Sequence, residues 1–391
     1  MNFYNSSNHN DLIYNRIKNN KVSSGGLSIF QKKIRTFTLF INNISLAKAL
    51  ILKQDMLVCG GDVALPEDAV RGKLTEVNVA IIGTERNFEK LSEKLKYQKF
   101  LTKEIDLINN FISSIKKKIL FQVRNKEFHN NKTYLMGIIN VTPDSFSDGG
   151  KNYDINIAYD NCMEMMRNFV DIIDIGGQSN RPGASEVSEE EELERVIPLI
   201  EKIRKNSLIP VSIDTCKTEV AREAMKAGAD IINCVSGATL PDKMADVAGE
   251  YKAPFILMHM RGTPEDMQTR TGYQNLTQEI IDEISDSYNI LLEKIGKKEK
   301  IIIDPGIGFG KTVEQNWEII KNINSFRYFG SPLLVGASRK SFLSKSFNLT
   351  DNTEKDLYTL LVSQKMLNEG VNFLRVHNVK MHREWLDRST K

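Results

Sequence analysis

From residue 131 onward, short runs of β-branched and aliphatic residues alternate with longer segments whose apolar positions recur every three or four residues. Eight short runs read as strands: 134–139 (YLMGII), 172–175 (IIDI), 209–213 (IPVSI), 230–233 (DIIN), 255–258 (FILM), 301–304 (IIID), 333–335 (LLV) and 373–376 (FLRV). The intervening segments carry helix punctuation. Ser188 and Glu191 have capping-box spacing, residues 218–227 end at Gly228, and 277–295 and 354–367 are longer helical stretches. The strand runs are continuous rather than alternating, as in a parallel sheet covered on both faces. Eight β-then-α units in about 260 residues predict an α/β fold, a (β/α)8 TIM barrel, with a doubly wound open sheet as the alternative.

The first third of the chain has a different texture. Nine of its first fifty residues are Asn, and residues 1–25 read as a disordered tail. Alternation begins at Phe37, followed by a helix at 46–53, a turn at Gly60-Gly61, a strand at 77–82 and helices at 88–96 and 104–119. This makes 26–128 a small basic α/β extension of unknown role in front of a barrel over 131–391. Charge supports the division: residues 1–130 hold 21 Lys and Arg against 12 Asp and Glu, net +9, while 131–391 hold 32 against 38, net −6. The run Lys116-Lys117-Lys118 lacks interleaved aromatics and reads as a solvated helix face, so no nucleic-acid partner is expected. The most apolar stretch, 37–52, contains Asn42, Asn43 and Lys48 and is too short for a membrane helix. Four scattered cysteines form no C-x-x-C pair, and the N-terminus has no secretory signature. A cytoplasmic protein with reduced thiols is expected.

In such a barrel the chemistry sits where strands end. Here the strand ends are Asn140-Val-Thr-Pro-Asp, Gly176-Gly-Gln-Ser-Asn-Arg, Asp214-Thr-Cys-Lys217, Asn233, His259-Met-Arg261, Asp304-Pro-Gly-Ile-Gly-Phe-Gly-Lys311, Gly336-Ala-Ser-Arg-Lys-Ser341 and Arg375-Val-His377. Gly310-Lys311-Thr312 is no phosphate loop, because Pro305 stands where its first glycine belongs. One polar residue after a strand is ordinary turn chemistry, and an Asp there caps the next helix about as often as it does anything else. Three such residues in a shared ring, Asp214, Asn233 and Asp304, suit a flat heterocycle rich in N–H donors. Arg181, Lys340, Arg375 and His377 offer cationic donors to a phosphate-bearing group, and Asn140 an oxygen ligand, with Mg2+ as the matching ion.

The segments MGIINVTPDSFSDGG (136–150), DIGGQSNRPGA (174–184), SIDT (212–215), DPGIGFGKT (304–312), GASRKSF (336–342) and LRVHNV (374–379) together resemble the dihydropteroate synthase family over about residues 131–391. The resemblance implies condensation of 6-hydroxymethyl-7,8-dihydropterin diphosphate with 4-aminobenzoate to 7,8-dihydropteroate and diphosphate, in a homodimer that uses Mg2+. By motif match it assigns Asp214, Asn233, Asp304 and Lys340 to the pterin, and Arg375 and His377 to the diphosphate. Asn140 falls on the Mg2+ position, and Asn180, Arg181, Phe309 and Ser341 lie near 4-aminobenzoate. The implied catalytic set is Asn140, Asp214, Asp304, Lys340, Arg375 and His377, and the loops after the first two strands read as lids. Asn180, Cys234 and Asn378 depart from the family's usual residues, the last two replacing carboxylates and making those strand ends less acidic. A pterin-dependent methyltransferase and a non-catalytic pterin-binding protein are the alternatives. The cations of Ser338-Arg339-Lys340 and Arg375-Val-His377, which a methyl transfer does not need, count against the first. The complete loop after Asn140 counts against the second.

Overall fold

The computed structural model describes residues 23–71, 74–116, 119–130, 132–141, 151–178, 187–235, 240–241 and 243–389. Residues 1–22 of the expected tail, most of the lid loops, Lys117 and Lys118 lie outside the described residues, while Ser24 and Gly25, read as the tail's end, begin a helix. Two compact units are present, Met1–Lys117 and Lys118–Lys391. In the first, β1 (Thr36–Ser45) pairs antiparallel with β3 (Glu76–Thr84), and β3 with the short β2 (Asp62–Ala64). The helices Leu46–Cys59 and Glu85–Leu95 supply Leu52, Met56, Phe88 and Leu91 to a core shared with Val79 and Ile81. The predicted alternation at Phe37 and the Gly60 turn are both present, Gly60 ending its helix at φ +88. An additional helix, Ser24–Ile34, precedes the sheet.

The second unit is a closed barrel. The strands β6 (Tyr134–Asn140), β7 (Ile172–Gly176), β8 (Val211–Asp214), β9 (Ile231–Cys234), β10 (Phe255–Met258), β11 (Ile301–Asp304), β12 (Leu334–Val335) and β13 (Phe373–Val376) form one parallel sheet in the order β11-β10-β9-β8-β7-β6-β13-β12. A bridge from Ile303 to Leu333 joins the two edges, which excludes the doubly wound alternative. All eight predicted strands are found, within two residues at each end. The helix Thr218–Ala227 stops at Gly228 as expected, with φ +112 there and amide bonds back to Ala224 and Met225. Only half of the predicted capping box forms: Ser188 accepts from the Glu191 amide, but the Glu191 carboxylate turns to Arg195 instead of closing the box.

The unit boundary differs from the expectation. β4 (Ile119–Val123) and β5 (Lys126–His129) form a hairpin that belongs with the barrel, in a stretch read as the end of a helix and of the extension. Its Phe121, Val123 and Phe128 meet Tyr134, Met136, Ile172, Ile231, Ile256, Ile302, Leu334 and Phe373, the inward side chains at the beginnings of the barrel strands. The hairpin therefore stops the N-terminal mouth of the barrel with apolar side chains. Residues of opposite parity, such as Ile173, Ile175, Val211, Ile213, Leu257 and Ile303, face the helices. Inward and outward positions thus alternate along every strand.

Candidate active site

Counting by twos from the plugged layer leads to the opposite mouth. Ile172 is followed inward by Asp174 and Gly176, Ile231 by Asn233, Ile302 by Asp304, Phe373 by Arg375 and His377. Parallel register aligns Asn140 with Gly176, Gly176 with Asp214, and Asp214 with Asn233, so four consecutive strands end on one level. Neither aspartate caps the following helix. The Asp304 carboxylate accepts the Gly306 amide at 2.8 Å, while the helix Val313–Lys321 is capped by Thr312. The helix Thr218–Ala227 has no side-chain cap. That leaves both carboxylates for the barrel interior.

Arg375 is the hub of this layer. Its Nε donates to Asp174 at 2.6 Å and its Nη2 to Asp214 at 2.5 Å, and Asn233 Nδ2 lies 3.2 Å from Asp174 Oδ2. Asp174 is completely buried and was not singled out by sequence reasoning, although an acidic residue inside the apolar run IIDI was the signal available. Burial pushes Asp214 up to about 7, against the pull of Arg375, and the neighbouring charges of Asp174 and Glu192 add to the rise. Burial likewise raises Asp304, opposed by the Gly306 amide and Lys340.

The strand ends between β10 and β12 build the other wall. Phe309 is buried beside Met258, Met260 and Met267, and the Lys340 ammonium stands 3.5 Å from the centre of its ring. A side chain at Gly308, where φ is +85, would strike Lys340, so the close crossing requires glycine there. Ser341 opens the next helix and is exposed. His377 Nδ1 is 2.9 Å from the Ser338 hydroxyl. Asn140 is half-buried at the end of β6. Of the predicted residues, Asn140, Asp214, Asn233, Asp304, Phe309, Lys340, Ser341, Arg375 and His377 all sit at this end of the barrel, while Asn180 and Arg181 lie outside the described residues.

Three sequence readings change. Arg339 does not join the cations: it makes a two-pronged ion pair with Asp356 at 2.7 and 2.8 Å on the adjacent helix. Cys234 has the outward parity and is buried among the helix-facing residues, so it takes no acidity from the interior ring. Asn378 donates to Asp356 at 3.0 Å and accepts the Met381 amide, which makes it a structural amide in a place where a carboxylate would face Asp356.

Comparison with known proteins agrees with this geometry. The model of the pterin binding enzyme family matches residues 136–377. The chain is 45% identical over 249 residues to the dihydropteroate synthase of Synechocystis sp., covering 64% of this chain and 86% of that protein. A probable bifunctional folylpolyglutamate synthase/dihydropteroate synthase of Halobacterium salinarum is 36% identical over 334 residues, 85% of this chain and 40% of that one. That match exceeds the length of the barrel unit Lys118–Lys391, so it runs into the N-terminal unit as well. Among solved structures, the Yersinia pestis dihydropteroate synthase in complex with a sulfonamide drug superposes with a TM-score of 0.64 at 33% identity, covering 69% of this chain and 98% of that one.

Proposed function

The chain belongs to the pterin-binding enzymes and, within them, to the dihydropteroate synthases, and from that premise we propose how its barrel mouth divides the reaction. It is a transferase of folate biosynthesis, condensing 6-hydroxymethyl-7,8-dihydropterin diphosphate with 4-aminobenzoate to give 7,8-dihydropteroate and diphosphate. The observation that carries the division of roles is the convergence of buried Asp214, Asn233 and Asp304 with Arg375 in one interior layer. The two carboxylates and the amide receive the N–H donors of the pterin, with Lys340 beside them. As the bond from the methylene carbon to diphosphate breaks, positive charge spreads into the pterin and negative charge gathers on the leaving group. Asp214 and Asp304 favour the first and His377 and Arg375 the second, a preorganised field that needs no nucleophilic side chain. Among the described residues, carboxylates engage two of Arg375's five N–H groups, and the others are directed to the diphosphate in this proposal. The arylamine nitrogen then attacks the methylene carbon from the side of Phe309 and Ser341 and gives up its proton to the departing diphosphate or solvent; the family resemblance assigns Asn180 and Arg181 to the same substrate.

Mg2+ is part of this proposal. Among the described residues no set of three or more His, Cys, Asp or Glu side chains is grouped to cage a metal. Asn140 supplies an oxygen on the ring: a side chain built at Gly176 would lie 3.6 Å from its Oδ1. One protein oxygen with most sites left to phosphate and water suits Mg2+, which would neutralise charge on the departing diphosphate. We further place the protein in the cytoplasm as a homodimer, a reading supported by four free cysteines and by the family resemblance. No helix among the described residues is long and apolar enough to cross a membrane. Light scattering should then give about twice the 44.4 kDa of one chain.

The deciding experiment measures diphosphate release from the pterin substrate with Mg2+, with and without 4-aminobenzoate. Release that depends on both is expected; release indifferent to 4-aminobenzoate would overturn the assignment.

A further inference from the structure

The loops that follow β10 and β11 are joined by charged side chains that the division above leaves unused. His259 is wholly enclosed, with Nε2 2.9 Å from Glu283 Oε2 and Nδ1 3.1 Å from Lys311 Nζ. Lys311 is itself buried, and its Nζ also donates to the Phe309 carbonyl at 2.9 Å. An ionised carboxylate only accepts, so the proton of a neutral His259 lies on Nε2 and leaves Nδ1 to accept from Lys311. Burial and the nearby Lys311 charge keep His259 neutral, at about 4. Burial disfavours the charge on Glu283, but hydrogen bonds from His259 and Arg261 outweigh it and hold the carboxyl down at about 2.

These contacts run as one continuous chain from Glu283 to the Phe309 carbonyl. Glu283 selects the tautomer, the tautomer orients the lysine amine, and the amine fixes the carbonyl of the residue whose ring lies against Lys340. Arg261 and Tyr273 brace the same strut, the guanidinium standing 3.7 Å from the ring centre and the phenol 3.4 Å from the Gly310 carbonyl. A lysine enclosed at this depth is a poor choice for packing alone, since an apolar side chain would fill the space without desolvating an amine.

We propose that Glu283, His259 and Lys311 form an orienting relay that sets the face of the Phe309 ring, making them positioning residues for the arylamine half of the site. The relay rests on the assignment of Phe309 and Ser341 to 4-aminobenzoate. Its test is Glu283→Gln in the full chain, with both substrates varied, together with 15N NMR of the imidazoles in the wild-type protein. Glutamine can donate through its amide, which removes the constraint on the tautomer. The KM for 4-aminobenzoate should rise at least fivefold while the KM for pterin diphosphate stays within twofold, and wild-type His259 should be neutral at pH 7 with its proton on Nε2. Equal shifts of both KM values, no shift, or a proton on Nδ1 would overturn the relay. The NMR measurement needs no variant and decides the matter if Glu283→Gln folds poorly. A wild-type enzyme indifferent to 4-aminobenzoate would instead overturn the functional assignment beneath it.

Discussion

Asp214 faces two demands that pull its proton in opposite directions: the pterin needs an acceptor, and burial beside Asp174 favours the acid. With its carboxyl up at about 7, affinity for 6-hydroxymethyl-7,8-dihydropterin, which has no phosphate to titrate, should fall as pH drops below 7. Asp214→Asn should abolish that dependence and weaken binding by about 1.5–3 kcal/mol, as titration calorimetry at pH 6 and 8 would show. Arg375→Ala is a blunter probe, because it strands two buried carboxylates. Turnover should vanish and stability fall by roughly 3–5 kcal/mol, read as a drop in Tm. His259 acts on stability. The unfolded chain binds a proton below pH 6.5 that the native protein refuses until about 4, so this group's contribution is present above 6.5 and is lost as pH falls toward 4. Asp214, with its raised pKa, stabilises in the opposite sense over the same range. Thermal melts of His259→Gln isolate the first effect: its Tm deficit against wild type should be smaller at pH 5 than at pH 7.5.

At the scale of elements, the barrel strands were legible because each is a continuous apolar run closed by a polar residue, and both features survive in one dimension. What the one-dimensional pattern hides is parity. Asp174 and Arg375 each sit inside an apolar run, yet only the closed sheet shows that both point inward and that Cys234 points out. The hairpin was missed for a related reason: its eight core partners on the strands are spread over some 240 residues of sequence, and locally Ile119 to His129 is a short, charged segment following a helix. Arg339 was misplaced because a cation beside Lys340 looks like part of the same pocket until its backbone, at φ +55, turns it toward Asp356. The hairpin's weight can be measured. Phe128 is fully enclosed against Phe121, Tyr134 and Phe373, so Phe128→Ala should cost about 3–5 kcal/mol in chemical denaturation.

For the whole molecule, two separate cores mean that the position of a cut decides its outcome. A chain beginning at residue 118 keeps the hairpin and should fold with substrate-dependent diphosphate release; one beginning at 131, where the charge changes sign, opens the barrel floor and should aggregate or melt early. Expression and circular dichroism of the two truncations would separate these outcomes. The sealed floor has a kinetic meaning too. A vessel with one door fixes the order of its visitors: the pterin, whose acceptors lie deepest, has to enter ahead of the arylamine received at exposed Ser341, and it is the last to leave. Initial-rate patterns should therefore be those of ordered addition, with 7,8-dihydropteroate competing against the pterin substrate.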